Sequence, residues 1–129
     1  MLAPPPLRIT GSAAAGALFA QLASEPNEVI AIAYLTEDRR VLGLRHTRSE
    51  SRDRMVLPIR AIAADAIAFD ARGVVLEHNH PSGDPTPSAA DRDATRQLLR
   101  ALAALEVRLV DHLVIASTGN SSFRALGFL

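Results

Sequence analysis

The chain contains no cysteine. That excludes disulfides, thiolate metal ligands and a cysteine nucleophile together, so any bound metal must be held by His, Asp or Glu. It also agrees with a reducing compartment. Net charge is missing as well, because 14 basic residues face 14 acidic ones. A strong, sequence-independent grip on nucleic acid needs clustered basic charge, and this balance argues against it. The stretch RHTRSESRDR (45–54) is arginine-rich but carries Glu50 and Asp53, and it reads as a solvated loop or edge strand. No apolar run approaches the roughly 20 residues of a membrane span. The opening MLAPPPLRIT lacks the basic flank and long apolar stretch of a signal peptide. The expected location is cytoplasmic, with no membrane partner.

What is present suffices for one core. The chain has 129 residues, of which 48% are hydrophobic, enough for one domain and too few for two ordinary ones. Residues 1–10 read as an extended, proline-stiffened tail, and 11–129 as a single domain. A helix is predicted over 12–24, with Ser12 as N-cap and Pro26 ending it. EVIAIAYL (28–35) reads as a buried strand, and RVLGLRH (40–46) returns beside it after a turn. A second helix is predicted over 58–71, with an apolar stripe of Ile59, Ile62, Ala63 and Ala66. VVLEH (74–78) reads as a short buried strand.

The clearest helix is predicted over 88–106, where Leu98, Leu102 and Leu105 share one side. A strand follows over 107–117. TGNSS then reads as a turn and FRALGFL as a short terminal element. The order α-β-β-α-β-α-β predicts an α/β fold, a mixed sheet with helices on its faces.

The chemistry concentrates in EHNHPSGDPTPSAAD (77–91). His78 and His80 are two apart at a strand end, so their side chains point to the same side. Pro81 favours extended geometry at His80. Imidazole is a good ligand for zinc, and a catalytic zinc site pairs three protein ligands with water. The third candidate is Asp91, in the first turn of the predicted helix, where free N–H groups and the helix dipole favour a carboxylate. Each part also has a plainer reading. Ser88 and Asp91 form a capping-box pattern, a His-x-His pair is often incidental, and Pro and Gly are ordinary turn residues. Asp84 is a weaker substitute ligand in the same loop, where Thr86 also lies.

The run HNHPSGDPTPSAAD resembles the metal-binding signature of the JAB/MPN (JAMM) metalloenzyme superfamily: His-x-His, seven residues, Ser, two residues, Asp. With LVDHLVIAS and SFRALGFL downstream, the chain is similar to the RadC-type branch over roughly residues 28–129. The resemblance implies a three-layer α/β/α sandwich related to the cytidine deaminases. It implies zinc on His78, His80 and Asp91, with Ser88 helping to hold water and the developing oxyanion. It places the catalytic glutamate at Glu28, at the head of EVIAIAYL. Glu77 is nearer in sequence, but it neighbours His78 on a strand and is expected on the opposite face.

The implied activity is metal-assisted hydrolysis of an amide or isopeptide bond in a peptide or protein substrate. RadC-type proteins usually carry an N-terminal helix-hairpin-helix module, for which 129 residues leave no room, so a short member or a catalytic domain alone is expected. Ser121 stands where an aromatic often precedes SF in this branch, so the loop at 118–122 is expected to differ.

Two rival readings differ in class. One is a DNA-repair-associated protein that binds or cuts nucleic acid, suggested by the family name and opposed by the charge balance. The other is a metal-bound interaction module without catalysis. Asp111 and His112, mid-strand among apolar neighbours, must face opposite sides of the sheet. They read either as satisfied buried polar groups or as support for the metal ligands. His46 is expected to be exposed.

Overall fold

The apolar run after Glu28 forms β1 (Val29–Leu35), all seven residues of which are buried. A strand this apolar has to be covered on both faces and both edges. A computed structural model, which describes residues 20–48 and 56–129, meets that requirement. β1 pairs antiparallel with β2 (Val41–Arg48) on one side and with β3 (Gly73–Asn79) on the other. β4 (Arg108–Ala116) lies parallel to β3, and β5 (Gly119–Ser122) pairs antiparallel with β4. The five-stranded sheet is mixed, in the order β2-β1-β3-β4-β5.

Two helices follow the predicted periodicity, α1 (Ile59–Ala68) and α2 (Ala89–Ala104). Both pack on the same face. Ile62 and Ala66 of α1 and Leu98 and Leu102 of α2 meet Ile30, Ile32, Tyr34, Val74, Leu76 and Leu109 of the sheet. Asp65 ties α1 to the edge of the sheet. It accepts the Tyr34 hydroxyl at 2.7 Å and pairs with the Arg45 guanidinium of β2. The opposite face buries Ala31, Ala33, Leu35, Val75, Leu113 and Ile115 against Leu22. Leu22 belongs to a 3-10 turn, Ala20–Ser24, the end of the helix predicted over 12–24. The rest of that prediction lies outside the described residues, as do residues 49–54 of the arginine-rich stretch. Its first part, through Arg48, belongs to edge strand β2, where His46 is exposed.

The α/β fold with a mixed sheet is therefore the one expected, with element ends moved by one to three residues. One element differs. The TGNSS turn contributes β5, which pairs Ser122 with Leu113 and Gly119 with Ala116. Its small polar residues carry no apolar alternation, so nothing local marks a strand. The free edge of β4 supplies the pairing. The terminal FRALGFL forms turns, with Phe123 fully buried.

Register sets the position of the site. Ile30 pairs with His78 in the antiparallel β1–β3 ladder. Two residues back along β1 therefore lie across from two residues forward along β3, which sets Glu28 beside His80. The N-terminus of α2, returning after the proline-rich loop, closes over the same point.

Candidate metal centre

Four side chains converge at the carboxyl end of β3. Glu28, His78, His80 and Asp91 each offer one ligand atom, and these atoms lie within 4.8 Å of one another. His78 Nε2 is 2.9 Å from His80 Nε2 and 3.5 Å from Asp91 Oδ2. His80 Nε2 is 3.1 Å from the same oxygen. Glu28 Oε1 stands further off, 3.8 Å from His78 Nε2. Ligand atoms around a tetrahedral zinc sit about 3.3 Å apart, so the three shorter distances match such a cluster.

The donor chemistry fits a cation as well. His80 Nδ1 lies 2.8 Å from the Asp84 carbonyl oxygen. A carbonyl only accepts, so the ring proton sits on Nδ1 and Nε2 presents a lone pair to the centre. His78 likewise turns Nδ1 away, toward His112, at 2.7 Å. Two imidazole nitrogens facing each other beside a carboxylate are relieved by a metal ion or a shared proton.

Asp91 is held twice over. Ser88 is the N-cap of α2: its hydroxyl oxygen accepts the Asp91 N–H at 3.0 Å, and its own N–H donates to Asp91 Oδ2 at 2.8 Å. The capping box and the ligand arrangement are one structure, because the box aims the carboxylate at the histidines. Burial alone would raise the Asp91 carboxyl. The nearby His78 and His80 rings, with the Ser88 N–H, outweigh it and hold Asp91 far below the usual carboxylate range. The Asp91 hydrogen bond raises His80. Burial pushes Glu28 up, opposed in part by His78.

The loop between the ligands is pinned from outside. Gly83 adopts φ +88°, favourable only for glycine, in a turn closed by its N–H to the His80 carbonyl at 3.0 Å. Thr118 donates to the Gly83 carbonyl, and Ser121 to the Pro85 carbonyl at 2.5 Å. These bonds flank Asp84, whose carbonyl orients His80. The Asp84 carboxylate accepts the Thr86 N–H instead of joining the centre.

Three further residues support the centre. Asn79, the middle residue of His-x-His, is buried and faces the opposite side of the sheet. Its carbonyl oxygen accepts the Val29 N–H at 2.6 Å, and its amide donates to Asn27 at 2.9 Å and Glu25 at 3.2 Å. His112 faces the centre behind His78, while Asp111 faces away and accepts Ser122 Oγ–H at 2.6 Å and the Arg124 N–H at 3.1 Å. Burial, then the neighbouring His78, pushes His112 well below the ordinary imidazole range. Thr95, one turn after Asp91, contacts His112 at 2.7 Å. Sequence reasoning singled out neither Asn79 nor Thr95. A buried amide between two histidines at a strand end, and a hydroxyl four residues after a helix-start aspartate, were the available signals.

Residues 9–128 match the family model of the RadC-like JAB domain. The chain belongs to that family. A UPF0758 protein of Polaromonas sp. (strain JS666 / ATCC BAA-500) is 41% identical over 110 residues, covering 84% of this chain and 49% of that protein. One from Pseudomonas fluorescens (strain SBW25) is 36% identical over 112 residues, covering 87% and 50%. UPF0758 protein BTH_I0781 of Burkholderia thailandensis is 37% identical over 108 residues, covering 84% and 41%. The RadC-like domain thus spans half or less of the length of these curated relatives. Among the described residues, no helix is long and apolar enough to cross a membrane.

Proposed function

We propose that this RadC-like domain is a zinc-dependent hydrolase of amide bonds, in a peptide or an isopeptide link, with His78, His80 and Asp91 holding the ion. One observation carries the reading: two imidazoles and two carboxylates bring four ligand atoms within 4.8 Å. When bound, zinc supplies Lewis acidity that acidifies water and polarises a carbonyl. Glu28 is the most distant of the four and partly buried, with 20% of its side chain exposed. It is suited to take a proton from the attacking water at Oε1 and hand it to the leaving nitrogen. Burial, which raises its pKa, moves it toward the range where such a base works at neutral pH. Asp91 stays ionised throughout. Ser88 Oγ accepts from Asp91, so its own hydroxyl proton remains available to donate to the developing oxyanion.

The test combines metal analysis with a peptide and isopeptide substrate screen. Protein purified without chelator is expected to carry about one zinc per chain. Glu28→Gln should keep the metal and lose hydrolysis, and His78→Ala/His80→Ala should lose both. Full activity in Glu28→Gln, on a substrate the wild type cleaves, would falsify the assignment of Glu28. Absence of metal from wild type, even after zinc is offered, would sink the hydrolase reading.

A further inference from the structure

Behind His78 runs a chain of three short contacts that ends on the helix supplying Asp91. His78 Nδ1 lies 2.7 Å from His112 Nε2. His112 Nδ1 lies 2.7 Å from Thr95 Oγ1, and Thr95 Oγ1 lies 2.6 Å from the Asp91 carbonyl oxygen. His112 and Thr95 are buried, and the His112 ring is stacked on Phe123 at 4.3 Å between centroids, inclined 17°. The ring therefore cannot flip, which would put ring carbons where its nitrogens stand, without displacing Phe123.

The direction of the chain follows from its far end. A carbonyl oxygen only accepts, so a 2.6 Å contact with it uses the single hydroxyl proton of Thr95. Toward His112, Thr95 can then only accept, which puts a proton on His112 Nδ1. A neutral His112 has its lone pair on Nε2, so the proton in the next contact belongs to His78 Nδ1. His78 Nε2 is left with a lone pair directed at His80 and Asp91.

We infer that Thr95, through His112, sets the tautomer of His78 and so its capacity to bind a metal; this rests on the metal centre proposed above. Neither residue is placed to touch an ion or a substrate, and both are positioning residues. Without the Thr95 hydroxyl, a proton on His112 Nδ1 is buried without an acceptor, which is costly. The favoured alternative places it on His112 Nε2, facing His78, and drives the His78 proton onto Nε2, where a metal must displace it. Such outer partners are typically worth about 10- to 100-fold in metal affinity. The repeat of one turn between Asp91 and Thr95 lets a single helix face deliver both a ligand and the reference point for another ligand's protonation.

The test uses long-range proton–nitrogen NMR correlations of the histidine rings in metal-free protein at alkaline pH, with zinc affinity measured against a chromophoric chelator. Wild type should show His78 protonated on Nδ1. Thr95→Val should weaken zinc binding about 10- to 100-fold and shift His78 toward the Nε2 tautomer. Thr95→Ser should restore both. Unchanged affinity and tautomer in Thr95→Val would overturn the inference. If that variant does not fold, the wild-type spectrum decides alone: His78 protonated on Nε2 overturns it and on Nδ1 upholds it. A wild type that binds no zinc would defeat the proposed function, while the tautomer readout would still judge the relay.

Discussion

The side-chain amide of Asn79 grips the backbone on both sides of Glu28. It accepts the Val29 N–H and donates to the Asn27 carbonyl, so the residue between them has little freedom to shift. Asn79 points away from the centre and contributes through β1. Asn79→Ala should reduce turnover by roughly 10- to 100-fold, the scale of an ångström-level misplacement, while zinc content stays at the wild-type level. Three lost hydrogen bonds should also cost about 2–4 kcal/mol of stability. Metal analysis beside steady-state kinetics checks this, and loss of zinc together with activity would show that Asn79 serves the ligands instead.

A second prediction concerns Glu77, the carboxyl beside the first ligand but on the other face. It is fully buried between Ala31 and Leu113, and neither of its oxygens has a hydrogen-bond partner among the described residues. Burial, with Asp111 adding, pushes its pKa up to about 8 from 4.5. The folded protein therefore keeps a proton that the unfolded chain releases above pH 4.5. Stability should fall as pH rises from about 4.5 to about 8 and level off beyond. Glu77→Leu should remove that slope and raise stability at pH 8 by a few kcal/mol. Chemical denaturation at several pH values measures it; parallel curves for the two proteins would contradict it.

Metal removal gives a third. If zinc binds the folded chain only, an excess of about 100 times Kd adds about 2.7 kcal/mol, a rise in Tm of roughly 10 °C. Chelator should reverse it. His78→Ala/His80→Ala should show no rise, and an equal rise there would locate the binding elsewhere.

The latch on the loop gives a fourth. Thr118 and Ser121 hold the carbonyls flanking Asp84, which orients His80. Thr118→Val/Ser121→Ala should weaken zinc binding about 3- to 10-fold, less than a buried partner would. A chelator competition assay reads this directly, and an unchanged Kd would mean that Asp84 keeps its place without the latch.

His78, His80 and Asp91 were legible because their relationship is local: a strand end, a stiff loop and a helix start. Glu28 was not local, and only the family resemblance pointed to it; the β1–β3 register then explains how it arrives. Asn79 and Thr95 were hidden because their partners are set by tertiary contacts. The partner atoms of Asn79 lie 50 to 54 positions away. The sequence showed that Asp111 and His112 face opposite ways, but not which one serves the centre. That depends on a register shift at Val110, where Val74 pairs with Leu109 and Val75 with Asp111. The core of α2 was readable from Leu98 and Leu102 alone, whereas β5 has no apolar pattern to read.

The centre is assembled from chain segments that are made at different times. A nascent chain that has exposed both histidines and Asp91 still lacks His112, 34 positions after His78, and the strand that carries it. Glu28 emerges first of all, yet reaches the others only when β1 closes onto β3 across 50 positions. Closing such long loops is the slow part of folding. The four candidate ligands of this domain are thus brought together only when the sheet is finished, so the site is among the last parts of the fold to be completed.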